Sequence, residues 1–343
     1  TARNWPIDKL VSGSLESGQD RDGVAALLMR GSDGEIGWSL QWSALAGYLL
    51  ILTAIHLLRV LRWRPLLRPF GEVSFAVVNR VGAVGFMSVF LLPLRLGELV
   101  RPYLMSRSSD IPFGSVLSTI AVERVLDGMT VALVLFGILA TVPEALLIEH
   151  PQVQTGATVA LLVFGSALLL LVAIALARRP TISLIRRLVG FVSLKLADRI
   201  VELATAFVDG LAALGSVLAL LQFLTVTATY WCLNGLGIWL MARGFALDVP
   251  LTAGYAMMGC VVIGMMIPNS PGNVGSFWYF MLLPAVLYGL NPDASPVVGF
   301  ALAVWFIQTV QMTVFGIVGL WAHSRAAGAP RIDENLPRDA QSH

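Results

Sequence analysis

Apolar runs long enough to cross a bilayer follow one another along most of this chain, separated by short polar stretches. Leu40 to Leu61 is unbroken and ends in a basic cluster of Arg59, Arg62, Arg64 and Arg68. Val73 to Leu92 is apolar but carries Asn79, Arg80, Gly82 and Gly85, and stops at Pro93. Phe113 to Val142 would pass for an ordinary span but for Glu123, Arg124 and Asp127. Gln154 to Ala177 is clean and halts at Arg178, Arg179 and Pro180. Thr181 to Leu214 sets Arg186, Arg187, Lys195 and Arg199 on a Leu, Val and Ile pattern of helical period, which predicts an amphipathic helix. Val217 to Met241, Leu251 to Ile267, Phe277 to Leu290 and Val297 to Ala322 complete the set. The pattern predicts an all-α polytopic integral membrane protein with about seven spans of roughly 20 residues, plus re-entrant or broken helices around a polar cavity.

Two interruptions carry that last expectation. In IPNSPGNVGSFWYF, Ile267 to Phe280, the residues Pro268, Pro271, Gly272 and Gly275 forbid a continuous helix between two apolar segments. Free backbone amides at the start of the next helix would suit an anion. The other interruption follows from orientation. Arg59 to Arg68, Arg95 to Arg107 and Arg178 to Arg199 are the Arg-rich stretches, while the stretch from Thr141 to Gln154 holds Glu144 and Glu149 and no Lys or Arg. Placing the basic stretches in the cytoplasm makes Val73 to Leu92 begin and end on one side. A single crossing cannot do that, so a re-entrant segment or helical hairpin is predicted, with Gly82, Gly85 and Pro93 marking the break. Broken segments in the two halves of a chain are the arrangement expected around a transporter's central site.

The same count puts a polar segment, residues 1–39, outside the membrane, and leads us to expect a helix ahead of it. Residues 40–322 form the membrane domain, and residues 323–343 are expected to be a disordered cytoplasmic tail. Hydrophobic residues make up 57% of the chain and charged ones 13%, about half the charge of a soluble domain. A net charge of +2 gives no reason to invoke nucleic acid. Cys232 and Cys260 lie in apolar segments without His or Cys at ligand spacing, so neither a metal nor another cofactor is expected. No phosphate-binding loop or nucleophile–base pairing is present, which argues against an enzyme.

Charge inside the apolar pattern is the functional clue. One ionised side chain at the bilayer centre costs ~3 kcal/mol on insertion scales. Glu123 and Asp127 are one turn apart and share a helix face, with Arg124 beside them. Arg95, Glu98 and Arg101 follow Pro93 and are candidates for a lipid phosphate, arginine being suited to bidentate contact. Arg80 in the re-entrant segment, and Pro271, Gly272, Asn273 and Gly275 at the second break, complete the candidate binding set. The plainer readings are a juxtamembrane basic loop for the first arginines and a structural ion-pair network for the carboxylates. Asn234, Gln308 and Gln311 read as interhelical hydrogen bonders. Trp5, Trp38, Trp42, Trp63, Trp278 and Trp321 read as interfacial anchors.

Four stretches in order resemble a known family: LRWRPLLRPFG (Leu61 to Gly71), LPLRLGELVRPYLMSR (Leu92 to Arg107), VERVLDG (Val122 to Gly128) and PNSPGNVGSFWYF (Pro268 to Phe280). They are similar to the flippase-like transmembrane family that includes the membrane domain of lysylphosphatidylglycerol synthases. The resemblance covers Leu40 to Ala322 and implies movement of lipids with anionic or modified polar head groups between leaflets. Phospholipids and polyprenyl-phosphate-linked glycolipids are the implied substrate classes, and the bacterial inner membrane the implied place. Many members carry Glu a few residues past the PG-x-x-G turn, where this chain has Trp278, so the lysyl-lipid substrate does not transfer directly. Nothing after Ala322 resembles an aminoacyl-transferase, and lysine transfer is not expected of this chain. The alternative is a scaffold that holds a lipid for a glycosyltransferase or other lipid-modifying partner without moving it.

Overall fold

A computed structural model describes residues 41–190, 194–213, 216–266 and 270–327. The N-terminal segment before Gln41, Pro268, and the tail beyond Ala327 lie outside these. Among the described residues there are twelve α-helices and no strand. In chain order they are α1 (Trp42–Leu67), α2 (Phe75–Leu91), α3 (Val100–Ser108), α4 (Phe113–Leu139), α5 (Glu144–Glu149) and α6 (Pro151–Leu176). Then come α7 (Arg178–Gly190), α8 (Leu194–Ala213), α9 (Val217–Gly244), α10 (Leu251–Gly264), α11 (Ser276–Leu282) and α12 (Ser295–Ala327).

The chain is a multi-pass membrane protein. By length and composition the regions containing α1, α6, α9 and α12 can each cross a bilayer. Helix α4 has the length too, 27 residues, and is set apart by its three central charges. Leu251 to Ile267 and Phe277 to Leu290, predicted as spans, hold helices of 14 and 7 residues. At the α-helical rise those helices reach about 21 and 10 Å, short of the ~30 Å of hydrocarbon. Pro271 and left-handed backbone at Gly272, Asn273 and Gly275 are the reason. Thr181 to Leu214 also divides, into α7 and α8. Helix α8 lies against the first turns of α4, where Ser115 Oγ donates to the carbonyl of Ala206 at 3.2 Å. The last helix continues past His323 to Ala327.

Helices α1 and α9 run antiparallel. Gln41 N donates to Gly244 O at 3.2 Å at one end, and Arg68 reaches Gln222 at 3.3 Å at the other. Helix α12 runs with α1, Gln308 donating to Tyr48 Oη at 2.7 Å and Gln311 to Leu52 O at 3.3 Å. Both glutamines are therefore interhelical hydrogen bonders, as their place in the apolar pattern suggests. Tyr48, Leu52, Met241, Met257, Phe277 and Phe300 meet in the main core. With lipid on the outside, such contacts stabilise through close packing rather than through removal from water.

The first broken element is a hairpin, and its break is not where the glycines suggest. Helix α2 is capped by Ser74, whose Oγ accepts from Val77 N, and continues through Gly82 and Gly85 to Leu91. The backbone stays helical there because nothing removes a hydrogen bond until Pro93. A 3-10 tip, Pro93–Leu99, then turns the chain into α3. Gly97 lies so near α2 that a Cβ there would collide with the backbone of Ser88 and Val89. Val78 and Val81 of α2 share one cluster with Met105 of α3, with Ile111 beyond it, and with Val60, Trp63 and Leu66 of α1. The chain thus returns to the end of α1 from which it left. Its returning arm is α3, which carries Arg101 and Arg107.

The second hairpin is α10, a 3-10 turn at Pro271–Asn273, and α11. Gly272, Asn273 and Gly275 all have positive φ, at 69°, 53° and 84°. Helix α10 follows α9, so this hairpin enters from the face where α1 begins, opposite to the first. The two tips touch.

This arrangement predicts that Arg68→Cys and Arg107→Cys, each in a background lacking Cys232, react with a membrane-impermeant thiol reagent from the same side. Labelling from opposite sides would contradict the α2–α3 hairpin.

Candidate functional site

Helix α4 turns Glu123 and Asp127 towards α1, and Arg62 fits between them. Arg62 donates to both oxygens of Asp127, at 2.5 and 2.8 Å, and to Glu123 at 3.1 Å. Arg101, carried in by α3, forks onto both oxygens of Glu123 at 3.0 Å each. Arg124 donates to Glu123 at 2.6 Å, and its Nε lies 3.7 Å from Glu98 on the hairpin tip. Glu123 is thus the hub for three guanidinium groups. Arg62, Arg101, Glu123 and Asp127 are each 2% exposed or less. Trp231 Nε1 donates to Asp127 at 3.2 Å, and the Arg101 guanidinium lies 4.2 Å from the ring centre of Trp63. Bidentate pairs of this kind hold planar geometry as well as charge. Leaving one charge unmatched at such a depth would cost several kcal/mol.

Beside this network, between the two hairpins, lies a cavity of about 160 Å³. Arg59, Arg62, Arg124, Asp127 and Asn234 form its polar side, and Phe90, Ile238, Val261 and Met312 are among its apolar walls. Asn273 from the second tip also lines it. A smaller space of about 20 Å³ adjoins, sharing Arg59, Asn234, Gln308 and Met312 with the first. His56 faces this smaller space and pairs with Asn79 at 3.0 Å.

The predicted site residues divide accordingly. Glu98, Arg101, Glu123, Arg124 and Asp127 come together in one network. Arg124, Asp127 and Asn273 reach the cavity, whereas Arg101 and Glu123 are not on its wall. Arg101 therefore stands behind the cavity, its charge matched by Glu123. Arg95 lies on the first tip, and its side chain is outside those described. Arg80 points elsewhere, its guanidinium 3.5 Å from the Ala322 carbonyl on α12. Pro271, Gly272 and Gly275 shape the second tip, where Trp305 Nε1 donates to Gly272 O at 2.8 Å. Trp63 is wholly buried and so is not an interfacial anchor, while Trp278 is half-buried and packs edge-on against Trp305. Trp42 and Trp321 remain exposed, at 79% and 56%.

Arg59, Arg62, Tyr230 and Trp231 were missed. Arginines at the end of an apolar run look like topology signals. Their three-residue spacing, which puts both on one face of α1, was the available clue. So was charge balance, since buried carboxylates need cations from another helix.

The sequence profile of a family described as "Lysylphosphatidylglycerol synthase TM region" matches residues 23–316. A curated relative, the glycosyltransferase AglD of Haloferax volcanii, is 29% identical over 268 residues, covering 69% of this chain. The match takes up 42% of that relative, so the chain spans less than half of its length. No solved structure matches.

Proposed function

This chain belongs to the family of the lysylphosphatidylglycerol synthase transmembrane region, and from that premise we propose that it carries the polar head of a lipid between leaflets. The head is anionic or otherwise modified, as in a phospholipid or a polyprenyl-phosphate-linked glycolipid, and the membrane is the bacterial inner membrane. One observation carries the reading: a cavity with a charged side and apolar walls lies between two hairpins that enter from opposite faces.

The physical task is to take a charged head through about 30 Å of hydrocarbon while its tails stay in lipid. Moving the head unaided would strip its hydration at a cost of several kcal/mol. Arg59, Arg124, Asp127 and Asn234 offer donors and acceptors in place of that water. Met312 and Phe90 keep the rest of the space apolar. The Arg101–Glu123 pair stands behind the cavity wall and does not meet the lipid in this scheme, whereas Arg62 and Asp127 face the cavity while staying paired with each other. Both pairs fix α1, α3 and α4 so that the cavity keeps its shape.

A second reading has a specific support. The curated relative is named a glycosyltransferase, so the same cavity could hold a lipid-linked sugar acceptor for a partner glycosyltransferase without moving it. Reconstitution separates the two. In liposomes carrying a head-group-labelled fluorescent lipid, an impermeant quencher removes the outer-leaflet signal, about half of the total, from protein-free vesicles. Vesicles containing this protein should lose most of the remaining signal as lipid exchanges. Binding of the lipid with no exchange would select the scaffold reading.

A further inference from the structure

Among the cations of the cavity wall, Arg59 differs from the others. Arg62 is matched by Asp127 and Glu123, and Arg124 by Glu123 and Glu98. Among the described residues Arg59 has no carboxylate partner. Its Nε and one Nη donate to Tyr230 Oη at 3.1 and 3.0 Å. Its guanidinium carbon lies 5.1 and 5.3 Å from the ring centres of Phe86 and Tyr230. The remaining Nη makes no hydrogen bond among the described residues. A phenol and two ring faces orient a cation and offset part of its desolvation, but they do not neutralise it. Arg59 also lines both the larger and the smaller space, so a group entering either one meets it.

We propose that Arg59 is the anion-binding residue of the cavity, and that the group it takes is the phosphate of a lipid head, in the phosphodiester class. This rests on the lipid-handling reading above. Tyr230 and Phe86 hold the guanidinium in place, and its unused Nη donates to a phosphate oxygen. Heads without a phosphate gain less, because the rest of the described cavity charge is already matched.

The test measures equilibrium binding of short-chain phosphatidylglycerol and of a short-chain galactosyl diacylglycerol, whose head has no phosphate, to the purified chain in nanodiscs, with inorganic phosphate as competitor. Arg59→Gln should weaken phosphatidylglycerol binding roughly tenfold to a hundredfold, and leave the phosphate-free galactosyl diacylglycerol nearly unchanged. Arg59→Lys should recover part of the loss, since it keeps the charge. Arg325→Gln, which removes an exposed arginine stacked on Trp321, should change neither. Thermal unfolding of each variant shows whether a loss of binding reflects a loss of fold; Arg59→Lys must unfold near the wild-type temperature for the comparison to count. Equal phosphatidylglycerol binding by the wild type and Arg59→Gln would overturn the assignment while leaving the lipid reading intact. An equal loss for both lipids would also overturn it, as would displacement by inorganic phosphate at concentrations matching the lipid, which would mark a free-phosphate site. A wild type that binds neither lipid would sink the lipid reading itself.

Discussion

Glu123→Gln should destabilise the protein by about 3–5 kcal/mol, the largest single-residue effect in the membrane domain. The amide keeps the shape of the carboxylate but not its charge. Three guanidinium groups, from Arg62, Arg101 and Arg124, would then share Asp127 and Glu98 alone. Arg101 suffers most, because Glu123 is its only carboxylate partner among the described residues and it is 1% exposed. Removing that stranded cation should therefore restore stability in part. The double variant Glu123→Gln, Arg101→Gln is expected to unfold at a higher temperature than Glu123→Gln alone, with a coupling of about 1–3 kcal/mol. Thermal unfolding of the two single variants, the double and the wild type completes the cycle. A Glu123→Gln protein as stable as the wild type but unable to exchange lipid would assign Glu123 to a transport step instead.

Much of this arrangement could be read from residue order, and the part that could not has a physical cause. Glu123 and Asp127 share a face by helical spacing alone, so their joint orientation was legible. The break at Pro271 to Gly275 was legible because proline and glycine act locally. What lies opposite each face depends on contacts across long sequence separations, and these leave no local mark. Arg62 and Glu123 meet from different helices, as do Arg59 and Tyr230. Arg80 and Arg101 looked alike in sequence, each a lone arginine in a mainly apolar stretch of the first hairpin. One reaches a carbonyl on α12 and the other is sealed against Glu123. Orientation counting asks for a return near Val73 to Leu92 but registers where a segment returns and not where it turns: of the residues it pointed to, Pro93 ends α2, whereas Gly82 and Gly85 lie inside it. Gly82 and Gly85 were misleading for a related reason. A helix buried among neighbours keeps its hydrogen bonds through glycine, and only Pro93 takes one away.

The central claim is that a lipid head passes through the space between the two hairpins, and blocking that space should stop exchange altogether. Met312 on α12 lines both the larger and the smaller cavity, so a bulky adduct there would fill most of about 160 Å³. Leu169 on α6 is 73% exposed on the lipid-facing side and provides a control of similar chemistry far from the cavity. The background should lack Cys232, which is exposed, and Cys260. Met312→Cys and Leu169→Cys are each reconstituted, and leaflet exchange of a head-group-labelled anionic lipid is recorded before and after reaction with a bulky maleimide. The account predicts that modified Met312→Cys falls to the rate of protein-free liposomes while modified Leu169→Cys keeps its rate. Undiminished exchange through fully modified Met312→Cys would place the lipid's path elsewhere and contradict it.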